Sequence, residues 1–261
     1  MRTKNASSCH WVKKEISIFK RLHSIEKIER WHFWFIGRRA IVRRLMQKYL
    51  DYPHQTILDL GCGTGLNVKL LTNQGYRTVG IDFNSEGLKA ISRSLPGTGL
   101  VQANATRLPL CSNVFDVAML LDILEHVDDK STVRELQRVL RPGGIAVITV
   151  PAIPWLWSYR DEDAGHLHRY TRRHLVSLLS DEGFKIKEMR YYQFFLFPLV
   201  AITRIFGRKK PTARDLEEQP NNTINKILIQ INKIEVKLGE LIPWPWGSSI
   251  VIICQKREVL I

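Results

Sequence analysis

Three stretches of this chain hold side chains of the kind that move protons, bind anions or cradle a charged ligand. In "DEDAGHLHRY", Asp161, His166, His168 and Arg169 crowd into one segment. A histidine titrates near neutral pH and can take a proton from a hydroxyl, while an arginine can hold a carboxylate or phosphate on the same molecule. Gly165 frees the backbone to aim His166, the expected base, with His168 and Arg169 expected to hold an anionic group. In "LLDILEHVDD", Glu125 and His126 follow Asp122 by three and four residues, and His126 is the reserve candidate for base or metal ligand. A helix-start acid pair beside a packed histidine is the preferred reading of that set, so no metal is expected. In "ILDLGCGTG", Gly61, Gly63 and Gly65 follow an apolar run. Bare backbone there admits a ligand closely and offers helix N-terminal N–H groups to its negative end. The dinucleotide spacing would require a third glycine where Leu66 stands, and no Gly-Lys-Ser/Thr completes a Walker loop.

Strand and helix patterns alternate around these stretches, as in an α/β doubly wound sheet. "TILDL", "RTVGID", "GLVQAN", "FDVAMLLD" and "IAVITV" read as five strands. A helix from about 66 to 74 follows the glycine loop, a second over "STVRELQRVL" has Ser131 as its expected N-cap and stops at "RPGG", and a third over "TRRHLVSLLSDEG" has Thr171. "FKIKEMRYY" and "SSIVIICQK" give strands six and seven, making a seven-stranded, mostly parallel sheet. Open sheets of this kind bind ligands beyond the carboxyl ends of their strands, which puts the loops after strands four and five at the crevice. The expected organisation is a basic N-terminal helical segment (1–50), a core (51–192), an apolar or amphipathic helical insertion between strands six and seven (193–247) and a final strand (248–261).

The glycine loop, the acid ending strand two, "ANATRLP" and "LRPGG" together resemble class I S-adenosylmethionine-dependent methyltransferases, over about residues 56–192. The resemblance implies a Rossmann-like methyltransferase fold and S-adenosyl-L-methionine as cofactor. It implies that Asp59, Gly61, Cys62, Gly63 and Gly65 lie under the cofactor's amino-acid part. Asp82 would accept the ribose hydroxyls, with Phe83 beside it, and Asn104 and Ala105 would meet adenine, the Asn104 oxygen accepting from the adenine amino group. Close relatives commonly carry aspartate at that position. "LLDILEHV" is similar to a segment of ubiquinone-biosynthesis O-methyltransferases that can hold a divalent metal. "HFWFIGRR" and the histidine loop resemble a bacterial and archaeal subgroup often found among lipid- or glycan-modifying enzymes, a resemblance that stops short of a substrate. The expected acceptor is small or lipid-linked, and methylation on oxygen is expected because the loop offers bases for a hydroxyl and no thiol- or amine-specific feature.

The net charge of +14 is unevenly placed: +10 over residues 1–50, zero over 51–160 and +4 beyond. Four scattered cysteines form neither a zinc pair nor a disulfide framework, and no apolar leader or spanning run stands out, which suggests a cytoplasmic protein. "FFLFPLVAI", closed by Arg204, Arg208, Lys209 and Lys210, suits a segment lying in the plane of an anionic membrane, peripheral on its inner face. Ile224, Ile227, Leu228, Ile231, Ile234, Leu238 and Leu241 recur at helical spacing, and "PWPW" follows; a cap over the acceptor pocket explains them equally well. RNA is the rival partner, because a basic N-terminus can follow a phosphate backbone, but no RNA-binding module accompanies it. A non-catalytic scaffold is the weaker rival, since the cofactor motif is intact.

Overall fold

The computed structural model describes residues 25–49, 55–206 and 220–258. The elements in chain order are α1 (Phe33–Tyr49), β1 (Thr56–Leu60), α2 (Leu66–Thr72), β2 (Arg77–Asp82), α3 (Ser85–Ser94), β3 (Gly99–Gln102), β4 (Phe115–Leu121), α4 (Asp129–Val139), β5 (Leu140–Pro151), α5 (Tyr159–Ala164), α6 (Arg172–Asp181), β6 (Phe184–Tyr192), α7 (Phe197–Phe206), α8 (Asn222–Leu238) and β7 (Ser249–Lys256). The sheet runs β3-β2-β1-β4-β5-β7-β6, with β7 antiparallel to both neighbours. The central strands are apolar on both faces because helices cover each side: Ile57, Leu58 and Leu60 of β1 and Val117 to Leu120 of β4 are buried. One face packs on α4 and α6 through Leu136, Val139, Leu175 and Leu179, and the other on α1 through Ile41, Val42 and Leu45.

Helix starts follow local chemistry, with one departure from expectation. Thr171 caps α6 as expected, its hydroxyl oxygen accepting from the His174 N–H. The cap of α4 is Asp128, whose carboxylate accepts from the Ser131 N–H at 2.8 Å. Ser131 is thus the third helical residue, because an aspartate three positions earlier offers the stronger acceptor for the orphan donors of the first turn. "RPGG" follows the helix end and kinks the beginning of β5, with Gly143 at φ +77°.

Two helices, α7 and α8, connect β6 to β7. The connection leaves from Tyr192 and returns at Ser249, which are paired in register beside Pro151. It therefore begins and ends at the carboxyl edge of β5, the end at which the loops after β1 and β4 also open. No helix among the described residues is long and apolar enough to cross a membrane.

Candidate active site

The glycine loop is held open by three left-handed residues, Gly61 (φ +79°), Gly63 (φ +53°) and Gly65 (φ +78°). A Cβ on Gly61 would fall 2.1 Å from Ile123, and one on Gly65 2.3 Å from Ile91, so sterics as well as φ require glycine there. Across the crevice, Gly87 of α3 is equally constrained, since its Cβ would lie 2.5 Å from the Gly63 carbonyl oxygen. The Asp82 carboxylate closes the loop by accepting from the N–H groups of Gly63 and Asn84, each at 2.8 Å. Cys62 is buried and donates its N–H to Ile81 O. Phe83 presents an exposed ring at the end of β2, and Ala105 packs against the core.

Asp59 is buried with one carboxylate oxygen lacking any partner. Burial is the larger influence on it and raises its pKa to about 7, with Arg38 acting in the opposite direction. An orphaned buried acceptor beneath a bare glycine turn is what the amino-acid end of S-adenosylmethionine requires, because its ammonium supplies the missing donor. Asn104 departs from expectation. Its Oδ1 accepts from both the N–H and the hydroxyl of Thr106, each at 3.0 Å, which leaves the amide NH₂ as its group for an adenine ring nitrogen.

The acceptor side is assembled from loops. After β4, a 3₁₀ turn (Leu124–His126) buries Glu125, and the Leu167 N–H donates to Glu125 O at 2.6 Å, tying this turn to the loop after β5. In the latter loop Gly165, at φ +71°, ends α5 and turns the chain so that His166 folds back on Asp161. His166 Nδ1 lies 2.9 Å from Asp161 Oδ1, and its Nε2 lies 4.0 Å from Glu125 Oε1. The His126 ring meets the His166 ring edge-on at 4.7 Å.

Asp161 is a buried carboxylate with donors from four residues. Besides His166, Arg169 donates to Oδ1 at 2.8 Å, while Arg204 and the Ser158 N–H donate to Oδ2 at 2.7 and 3.0 Å. Burial opposes its charge, but His166 and the two guanidinium groups prevail and hold it ionised, well below the usual carboxylate range. An ionised Asp161 fixes the proton on His166 Nδ1 and leaves the Nε2 lone pair available. Glu125 behaves oppositely: burial and the nearby Asp122 push it well above the ordinary value, which favours its neutral form.

Not every expected site residue reaches this cluster. Arg169, expected to hold an anionic group, is turned inward; it donates to the carbonyl oxygens of Ala152, Ile153 and Ser248 as well as to Asp161, and so fastens the loop to the sheet edge. His168 points away from His166, with Nε2 3.4 Å from Asp129 and its ring against Tyr170. Asp122, at φ +60°, is drawn to Arg38 at 2.6 Å and to the Thr149 hydroxyl, so it does not join Glu125 and His126. The set within ligand distance is instead Glu125, His126 and His166. Arg204, expected at lipid headgroups, is buried on Asp161; Arg208, Lys209 and Lys210 lie outside the described residues.

Three contributors escaped the sequence reading. Glu29 accepts from the Thr64 hydroxyl in the glycine loop, Arg38 of α1 pairs with Asp122 at the end of β4, and Arg204 of α7 completes the Asp161 cage. Arg38 lies in "HFWFIGRR", a conspicuous stretch, but nothing local says which strand end it meets.

Residues 58–148, which span the glycine loop, Asp82 and the turn bearing Glu125, match the family described as methyltransferase domain. Over these residues the chain is similar to S-adenosylmethionine-dependent methyltransferase domains. A relative from Mycolicibacterium smegmatis, named a probable S-adenosylmethionine-dependent methyltransferase, is 26% identical over 160 residues, which is 60% of this chain and 61% of the relative. The chain spans about three fifths of the length of the first curated relatives it matches. Among solved structures, an S-adenosylmethionine-dependent methyltransferase from Methanosarcina mazei is similar with a TM-score of 0.54 at 22% identity, covering 82% of this chain and 98% of that one. The [4+2]-cyclase SpnF is similar with a TM-score of 0.57 at 18% identity, covering 84% and 80%. Fold likeness therefore reaches proteins of different chemistry, and the reaction must be argued from the side chains of this chain.

Proposed function

We propose that this chain transfers the methyl group of S-adenosylmethionine to a hydroxyl oxygen on a lipid-linked acceptor met at a membrane surface. The observation that carries the reading is the His166–Asp161 pair standing beside Glu125 at the carboxyl end of β4 and β5, the end onto which the glycine loop opens. When bound, S-adenosylmethionine supplies an electrophilic methyl on a sulfonium. Asp82, Asp59 and the loop glycines are the residues that would hold it. The protein's remaining tasks are to align the acceptor, exclude water and remove one proton.

His166 suits the last task. Its Nδ1–H is anchored on an ionised carboxylate, so Nε2 takes the acceptor's proton as the hydroxyl oxygen becomes the nucleophile, and Asp161 stabilises the resulting imidazolium. A neutral Glu125 beside Nε2 places no competing charge there. A lipid-linked acceptor is supported by the exposed apolar side chains at this end of the sheet, Trp155 and Leu167 in the acceptor loop and Ile202 on α7.

The test is incubation of the chain and methyl-labelled S-adenosylmethionine with an extract containing membranes, followed by solvent extraction. Label in the lipid fraction is expected. Label confined to RNA would replace the acceptor assignment, and no transfer to any fraction would contradict the activity.

A further inference from the structure

Helix α8 reverses the usual amphipathic arrangement. Its buried side carries Asn225, Asn232 and Glu235 alongside Leu228. Each polar group is committed to backbone. Asn225 Oδ1 accepts from Phe33 N–H at 2.9 Å and its amide donates to Trp31 O at 2.7 Å; Asn232 donates to Phe33 O at 2.9 Å, and Glu235 accepts from Phe195 N–H at 3.1 Å. Gly37 of α1 permits this approach, since a Cβ there would fall 2.6 Å from the Asn232 amide nitrogen. The polar side chains thus fasten α8 to the start of α1 and to the segment leaving β6.

The outward side is apolar. Ile227 is 54% exposed, Ile234 55% and, just past the helix end, Leu241 82%, with Leu238 also exposed. At 3.6 residues per turn Ile227, Ile234 and Leu238 share one narrow arc, and Leu241 follows in the turn after the helix. Lys226, Lys233 and Lys237, all exposed, fall on the adjacent arc, and the one acid of α8, Glu235, is inside. The outer surface of the helix is therefore an apolar stripe bordered by a row of cations, and the acid just past the helix end, Glu240, is already paired with Arg44. Trp246, exposed and packed against Phe194, extends the stripe toward the sheet.

We infer that this face of α8 lies in the plane of an anionic lipid surface, with Ile227, Ile234, Leu238 and Leu241 at the acyl boundary and the lysines at the headgroups. Water alone does not reward four uncovered aliphatic side chains in one row. A second copy of the chain on the same face would bring lysine rows together with no α8 acid to answer them, whereas anionic headgroups supply that charge and lipid tails cover the stripe. The geometry also orients the molecule. The α7–α8 connection joins the sheet at Tyr192 and Ser249, beside Pro151 at the carboxyl end of β5, so the segment carrying this face is attached at the edge from which the acceptor loop leaves. The inference deepens the membrane part of the proposed function, and its test needs no methyl transfer.

The experiment is flotation of the full chain with vesicles of phosphatidylcholine alone or with phosphatidylglycerol added, at low and high salt. The wild type is expected to float with anionic vesicles and to be released by salt, as screened headgroup contacts require. Replacing the three lysines together (K226Q, K233Q, K237Q) should reduce anionic binding by about a hundred-fold, at about a factor of five per lysine. Replacing the stripe (I227N, I234N, L241N) should abolish it. Both variants should keep the wild-type melting temperature and S-adenosylhomocysteine affinity, since these side chains face outward. Wild-type chain that stays in solution, equal recovery with both vesicle types, or a lysine variant that floats normally would overturn the inference. So would a dimer in sedimentation that Ile234→Asn dissociates. A chain that floats as expected but binds no S-adenosylhomocysteine would uphold this docking surface and sink the methyl-transfer reading.

Discussion

Around the glycine loop, Asp59, Gly61, Gly63, Gly65 and Asp82 sit on two adjacent strands and the turn that follows the first, with backbone N–H groups and bare Cα positions making most of the surface. Around Asp161, the donors come from Ser158, His166, Arg169 and, 43 residues away on a helix of the β6–β7 connection, Arg204. The first region is shaped by backbone conformation and can be rebuilt by any sequence with the same glycines. The second is a buried charge network that exists only when distant segments have docked. The difference implies that damage to the cofactor side should show as lost affinity on an intact fold, whereas damage to the acceptor side should lower stability and rate together.

The most severe expected effect is in the network. Asp161→Asn leaves Arg169 and Arg204 buried without their anion and should destabilise the fold by about 3–5 kcal/mol, measured by chemical denaturation. A loss below about 1 kcal/mol would mean that the two guanidinium groups find other partners, and the contrast between the regions would weaken. His166→Ala removes the base but leaves the carboxylate its two arginines. Turnover should fall by about 10²–10⁴-fold with S-adenosylhomocysteine affinity unchanged. Normal turnover there, with loss in His126→Ala, would move the chemistry to the turn after β4, and sensitivity to chelators would then favour a metal held on that turn by Glu125 and His126. On the cofactor side, Asp82→Ala should weaken binding by about 1–3 kcal/mol with little change in melting temperature.

Asp59 gives the most specific effect. Its folded-state pKa is raised to about 7, so between about pH 4 and pH 7 the native chain keeps a proton that the unfolded chain has released. Stability should therefore fall as pH rises through that window, by about 1 kcal/mol per pH unit. Glu125, raised in the same direction, adds a slope of the same sign. Asp59→Asn should make the slope shallower without removing it. A steeper slope in the variant would contradict the assignment of Asp59 as the buried, protonated group.

The legibility of the sequence follows the same division. The strand segments and the glycine loop were readable because periodicity and φ preference are local properties. His166 could be aimed from Gly165 for the same reason. The inward turn of Arg169 was not readable, since its partners, Ala152, Ile153 and Ser248, converge only after β7 inserts between β5 and β6. The spacing of isoleucines in α8 announced a helix but not which side faces in, because three polar residues with backbone partners decided that.

The account rests most directly on one calorimetric comparison: S-adenosylhomocysteine titrated into wild type, Asp82→Ala and His166→Ala. Wild type and His166→Ala should bind alike and Asp82→Ala about 5- to 150-fold more weakly, as hydrogen-bond loss at one end of the ligand requires. No heat with the wild-type chain, or equal loss in both variants, would contradict it.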